Sequence, residues 1–275
     1  MATDREAHYV LDEILGNATD LPITEHATDS AGVTLVNFAL FDLVGLQLSP
    51  RIRDLGRITL YRTGPRAQFN TAYPTVAPLL TRRLDSDLIA EHWDDLLRLA
   101  ASLKFGHATA SLVVGKLSRS DRQQNAFAAA LKEYGALRRT IYAARYLTDE
   151  GYRRRISRQL NKGESIHALR RALHYAHQGA VRRRHLEQQT EQAWCLTLVT
   201  NAVVTWTTEY YGLAVEEMRA QGRSVDDEVL AHISPAHSEN VNFFGSIAVD
   251  VERELAKLDP SGYRPLRTRA DASLA

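Results

Sequence analysis

Hydrophobic residues along the chain fall mostly at the three-and-four spacing of helices, and strand-like segments are confined to its N-terminal part. A first helix runs from a cap at Asp4 to about Leu15, with Tyr9, Val10, Ile14 and Leu15 on its inner side, and Gly16-Asn17 ends it. Leu21 to Thr28 reads as an extended segment leading into Thr28-Asp29-Ser30-Ala31-Gly32. Val33 to Leu46 follows as an amphipathic helix carrying Val36, Phe38, Leu40, Phe41, Leu43 and Val44. Ser49 to Gly56 is a turn with a basic arm, and Ile58 to Arg62 a short strand. Thr63 to Pro78, with three prolines and Gly64, reads as a loop and as the preferred internal boundary.

From Ser86 onward the pattern is helical. Ser86 caps a helix holding Leu88, Ile89, Trp93, Leu96, Leu97 and Ala100. A second helix spans about His107 to Leu117, and Asp121 caps a third through Phe127, Leu131, Tyr134, Leu137 and Ile141. Past Gly163, Ile166, Leu169, Leu173 and Ala176 form one apolar stripe, while Glu164, His167, Ala168, Arg171, Tyr175 and Gln178 share another face. Glu164 thereby opens a helix, where an acid suits the helix dipole. The longest helix runs from about Leu186 to Arg219, with Cys195, Leu198, Ala202, Trp206, Tyr210 and Leu213 as a stripe that fits a buried seam, and Gly222 stops it. The tail from Asp259 to Ala275 has few core residues and reads as frayed.

Composition narrows the picture. With 275 residues, 44% of them hydrophobic, the chain is long enough for one large or two small domains. Cys195 is its lone cysteine, which excludes an internal disulfide and a Cys-rich zinc site, and its apolar setting predicts a buried, inert thiol. No apolar run approaches the roughly 20 residues of a bilayer span, and the first residues lack a secretory pattern. A soluble, cytoplasmic protein without a membrane partner is expected.

Charge changes the picture more. Between Arg138 and Arg184 lie thirteen Lys/Arg against three acids, a local charge of +10 in a chain whose total is +1. Arg-Arg-Arg occurs at 153–155 and again at 182–184. A one-sign excess of this kind favours an anionic partner, nucleic acid first, over a merely solvated helix face. No His-Glu-x-x-His spacing, phosphate-binding loop, dinucleotide fingerprint or Gly-x-Ser-x-Gly elbow is present. What remains is two acids far apart in sequence. Asp29 stands at a strand end before small residues and a helix, where it serves either as that helix's cap or as a ligand, and Glu164 lies in the basic region. Hard oxygen donors of this type suit Mg²⁺ in phosphoryl transfer, although two carboxylates are thin provision for two ions.

Six stretches in order carry a family resemblance: Tyr9-Val10-Leu11-Asp12, Glu25 to Gly32, Ser49 to Gly56, Leu160 to Glu164, Cys195 to Ala202, and Tyr263 to Arg267. Through them the chain resembles the C-terminal part of Tn3-family transposases, whose catalytic domain is ribonuclease-H-like with a helical insertion. The resemblance implies an α-rich α/β fold with few short strands, and identifies Asp29 and Glu164 with the second and third acids of the Asp-Asp-Glu triad. It implies Mg²⁺ as cofactor, in a site that is incomplete here because the family's first Asp lies upstream of this chain. Thr207 after Trp206, where the family pattern has Asn, and Trp194, in place of a small residue, depart from that pattern.

The expected organisation is a partial ribonuclease-H-like core over 1–62, a helical insertion over 63–150, C-terminal helices carrying Glu164 over 151–258, and a tail over 259–275. The expected function is that of a truncated transposase fragment whose parent cuts and joins DNA, inactive on its own. The alternative is a non-catalytic DNA- or protein-binding helical module that modulates full-length transposase. Partners implied are DNA, full-length transposase or a separately encoded N-terminal half, with a dimeric parent. The residues expected to contact DNA are Arg51 and Arg53, then Arg153, Arg154, Arg155, Arg158, Lys162, His167, Arg170, Arg171, Arg182, Arg183 and Arg184.

Overall fold

The structure, a computed structural model, describes residues 9–29, 33–54, 56, 58–119, 126–175, 179–182, 185–243, 245, 250–256 and 258. The expected caps Asp4 and Asp121, the tail, Ala176, Gln178, Arg183 and Arg184 lie outside the described residues. The chain divides into two compact units, Met1–Leu160 and Asn161–Ala275, and most of the described residues are helical.

The first unit begins with α1 (Val10–Leu15) and β1 (Glu25–Thr28), followed by α2 (Leu35–Leu43) and β2 (Gln47–Pro50). β1 and β2 pair in parallel, in the register Glu25↔Gln47 to Thr28↔Pro50, so the strand is shorter than the extended segment expected from Leu21. α2 is not amphipathic. Val36, Phe38, Leu40 and Phe41 are buried, and so are Asn37 and Ala39 on the intervening positions. Asp42 is the other polar residue of its nine, which leaves no solvent face, and a helix apolar all round is a central one. Each such large side chain stabilises by roughly 1.5–3 kcal/mol when fully buried, which makes α2 the anchor of this unit.

β3 (Tyr61–Arg62) and β4 (Arg82–Arg83) form a second, two-residue parallel pair. Between them the expected loop contains a helix, α3 (Arg66–Ala72), and a single 3₁₀ turn over Ala77–Leu79. Pro65 and Pro74 precede these turns and Pro78 is the second residue of the 3₁₀ turn, positions where a missing N–H costs nothing. The helix expected from Ser86 is two: α4 (Ser86–Glu91), capped by Asp85 rather than Ser86, and α5 (Trp93–Lys104), separated at His92. α6 (Ala110–Arg119) starts three residues later than expected because its amino end is held from α1: the Asp12 carboxylate accepts from the N–H groups of Ala110 and Ser111.

α7 (Ala126–Thr148) provides the main packing partner of α2. The two backbones approach closely at Gly135, where a Cβ would fall 1.8 Å from the Leu35 carbonyl oxygen. Tyr134 and Arg138 both reach the Asp42 carboxylate of α2. The core that results joins Leu11, Leu40, Leu96, Val114, Leu131 and Tyr152.

α8 (Glu150–Leu173) runs without interruption through Gly163, so the helix expected to start there begins thirteen residues earlier. A glycine costs a helix only about 1 kcal/mol, and Asp149 supplies a better start, its side chain accepting from Tyr152 N at 2.8 Å. In the second unit α8 continues to Leu173, followed by α9 (Leu186–Ala220), α10 (Asp227–Leu230) and α11 (Val251–Leu255). The seam expected on α9 is exposed: Cys195 is on the surface, Leu198 is 71% exposed and Trp206 49%. The buried line is instead Leu196, Thr200 and Thr207. The apolar residues of α9 occupy more than one face, so periodicity alone does not select the inner one.

Candidate functional site

Asp29 follows the last residue of β1, at the carboxyl end of a parallel strand, the edge where open α/β sheets place their ligands. It does not cap α2, whose cap is Thr34, accepting from Asn37 N at 3.2 Å. The ladder continues past the paired residues, with Arg51 N donating to Thr28 O at 2.9 Å. Side chains alternate along a strand, so Glu25, Ala27 and Asp29 share one face, and Ser49, Arg51 and Arg53 share the matching one. This brings two guanidiniums to the acid. Arg53 Nη2 donates to Asp29 Oδ2 at 2.5 Å, and Arg51 Nη2 lies 3.9 Å from Oδ1.

Below this edge the same faces build a polar cluster that the sequence reading missed. Ser49 Oγ and Tyr152 OH each donate to Glu25 Oε1 at 2.5 Å, and the two hydroxyl oxygens are 2.7 Å apart. Ser49 and Tyr152 are fully buried. Burial, together with the hydrogen bond to Glu25, pushes the Tyr152 phenol up to about 12. Arg145 and Arg155 lie over its ring, at 4.0 and 5.0 Å. The period-two spacing Glu25-x-x-x-Asp29 was the available signal for Glu25; nothing local announced Tyr152.

A cavity of about 420 Å³ opens beside Asp29's partners, lined by Arg51, Arg53, Asp54 and Arg139 and by apolar side chains including Ile52, Ile58 and Tyr142. Arg139 was also missed. Its Nη2 donates to Thr59 O at 3.0 Å, and burial lowers the pKa of its guanidinium.

The expected DNA-contacting residues of the first unit differ in what they already hold. Arg153 donates to the Tyr146 and Leu147 carbonyls at 2.9 and 2.7 Å, closing the end of α7, and Arg154 pairs with Glu150 at 2.6 Å. Arg155 and Arg158 are exposed. In the second unit Glu164 is an exposed mid-helix residue rather than a first-turn acid. His167, Arg171 and Arg182 are exposed there, Lys162 is half-buried, and Arg170 donates to Thr197 Oγ1 at 3.2 Å. Opposite His167 and Arg171 on α8, Leu169 is buried.

A divalent ion needs several oxygen donors. Among the described residues no group of three or more His, Cys, Asp or Glu is gathered, and the groups paired with Asp29 are cations. As they stand, these residues do not fit a metal ion. No helix among the described residues is long and apolar enough to cross a membrane.

The sequence matches the family model of the Tn3 transposase DDE domain over residues 1–246. It is 41% identical to the transposase for transposon Tn21 of Escherichia coli and 42% identical to that for Tn501 of Pseudomonas aeruginosa, in each case over 96% of this chain and 26% of the relative. The transposase for Tn1546 of Enterococcus faecium is 37% identical over the same shares. The chain thus spans about a quarter of the length of the curated relatives it matches.

Proposed function

The chain belongs to the Tn3 family of transposases through its DDE domain, and from that premise we propose that it is the part of a ribonuclease-H-like catalytic domain that brings Asp29 and Glu164 to DNA. The family implies DNA as partner and a divalent metal ion, and Mg²⁺ is the ion that two hard carboxylates and a phosphodiester suit best. The reaction assigned to the intact parent is cleavage of a phosphodiester by activated water and then strand joining by a 3′-hydroxyl. A divalent metal ion would supply Lewis-acid activation of these oxygens, and the acids among the described residues do not complete a site for it. Asp29 holds its position through the β1–β2 pairing, and Arg51 and Arg53 present guanidiniums suited to phosphate at the same edge. The exposed Arg155, Arg158, His167, Arg171 and Arg182 extend the phosphate-contacting set. In this reading 1–62 is the core piece, 63–150 the helical insertion and 151–258 the helices carrying Glu164, acting in the cytoplasm in a dimeric parent.

The observation that carries this reading is the family match across both acids, with Asp29 at the carboxyl end of a parallel strand. The acid set within the chain favours one qualification: alone it binds DNA without cutting it. Binding to a fluorescent duplex, followed by anisotropy as salt rises, tests the first part. Log K is expected to fall by about 0.9 for each phosphate neutralised, and a flat salt response would overturn it. Incubation with supercoiled plasmid and Mg²⁺ or Mn²⁺ tests the second: strong nicking that Glu164→Ala abolishes shows a complete site.

A further inference from the structure

We propose that the outer face of α9 is a docking surface for a part of the transposase polypeptide beyond this chain, an apolar helix that carries Lys or Arg at both ends of its stripe. From Gln192 to Thr208 α9 holds no charged residue. At about 100° per residue, Trp194, Cys195, Leu198, Val199, Ala202 and Trp206 fall within one wedge of roughly 140°, and all six are exposed. The inner face of the same helix is the buried line of Leu196, Thr200 and Thr207. An apolar stripe left in water and bounded by polar residues marks a protein interface. A cavity of about 440 Å³ opens at its amino-terminal end, lined by Val181, Leu186, Ala193 and Trp194 among others, with room for a large apolar side chain from the occupant.

Charge selects that occupant. Glu191 and Glu209 are exposed and close the two ends of the stripe. They stand five helical turns apart, about 27 Å, so both lie near the midline of the wedge. No Lys or Arg occurs on α9 before Arg219. DNA is repelled by two carboxylates with no cation between them. A second copy of α9 sets like against like in either direction: Glu191 beside Glu191 when parallel, Glu191 beside Glu209 when antiparallel. A helix with apolar side chains between two cations meets the stripe and both of its ends. The length of the relatives leaves room for one, since the chain matches 26% of the Tn21 transposase and about three-quarters of that protein lies outside the match. Family membership is the premise, and loss of the DNA reading leaves the surface standing.

The test uses the whole chain. Overlapping peptides about 25 residues long, enough for five turns and their flanks, tile the part of the Tn21 transposase outside the match and are titrated onto it. Hydroxyl-radical oxidation of Trp194 and Trp206, read by mass spectrometry, reports occupancy, and Trp93 of α5 is the internal reference. One peptide region with Lys or Arg at both ends is expected to protect Trp194 and Trp206 severalfold and to leave Trp93 unchanged. An exposed ion pair shifts an equilibrium by up to about fivefold, so Glu191→Lys/Glu209→Lys is expected to weaken that peptide about five- to twentyfold. Leu198→Asp, in the middle of the stripe, is expected to abolish protection while helical circular dichroism stays unchanged. The same footprint on the intact Tn21 transposase, with this chain grafted in place of the matching segment, decides the case in which no peptide forms its helix alone. Protection of both tryptophans there supports the surface, and oxidation equal to that of the free chain overturns it. Protection that grows with the concentration of the chain alone makes the occupant a second copy, and protection by duplex DNA makes it nucleic acid; either result overturns the assignment. A protecting peptide indifferent to Glu191→Lys/Glu209→Lys overturns the basic-edged helix as its occupant.

Discussion

Replacing Gly135 by alanine places a methyl group 1.8 Å from the Leu35 carbonyl oxygen and 2.6 Å from its carbon, both backbone atoms that no rotamer change can move. Ordinary contact begins near 3.4 Å, so α2 and α7 must part by about 1.6 Å, or one of them must deform. Alanine is the better helix former by about 1 kcal/mol, and overpacking a close-packed core costs roughly 1–3 kcal/mol, more where the backbone is the obstacle. The balance is a loss of about 2 kcal/mol or more. Gly163→Ala makes the control. It too lies inside a helix, but nothing falls within 4 Å of its new Cβ, so the propensity gain of about 0.5–1 kcal/mol stands alone. Urea unfolding followed by circular dichroism measures both. Hydrogen exchange at the amides of α2 and α7 assigns the Gly135→Ala loss to its place. Gly135→Ala as stable as the parent chain would show that the α2–α7 approach is looser than described, and Gly163→Ala below the parent would show that α8 is broken there.

Other outcomes follow from the same contacts. Tyr152→Phe removes the hydroxyl shared by Glu25 and the buried Ser49 and is expected to cost about 1–3 kcal/mol in urea unfolding. Asp12→Ala leaves the first N–H groups of α6 without their acceptor, a loss of about 1–2 kcal/mol by the same measurement. Alkaline pH reports the buried phenols. Burial raises the ionisation of Tyr134, Tyr142 and Tyr152, the last to about 12, while an unfolded tyrosine ionises near 10. The unfolded state then releases its protons first. This stabilisation is complete below pH 10 and is lost as pH climbs toward 12, and urea midpoints flat across that window would contradict the burial.

Helical spacing located most of the helices, although α3 fell in an expected loop and the first half of α8 went unassigned, and Asp29 was placed correctly at a strand end before small residues. Two kinds of information were out of reach. The first is which side of an apolar helix turns inward: α9 carries Leu196 and Thr200 on one side and Cys195 and Leu198 on another, and only the tertiary partner decides between them. The second is register. Arg51 and Arg53 meet Asp29 because Thr28 pairs with Pro50, a fact about two strands that neither announces alone. The family pattern pointed to the acids and the basic arm, whereas Arg139 and Tyr152 enter from α7 and α8 through packing. Gly163 misled for a simpler reason. A helix already running from Asp149 absorbs the small penalty of one glycine.

The surface position of Cys195 has a practical side. As the sole thiol of the chain, it accepts a maleimide dye or a nitroxide at one defined point on a 35-residue helix without prior removal of other cysteines. Fluorescence or spin-label mobility at that point then reports when a ligand or a partner arrives at α9.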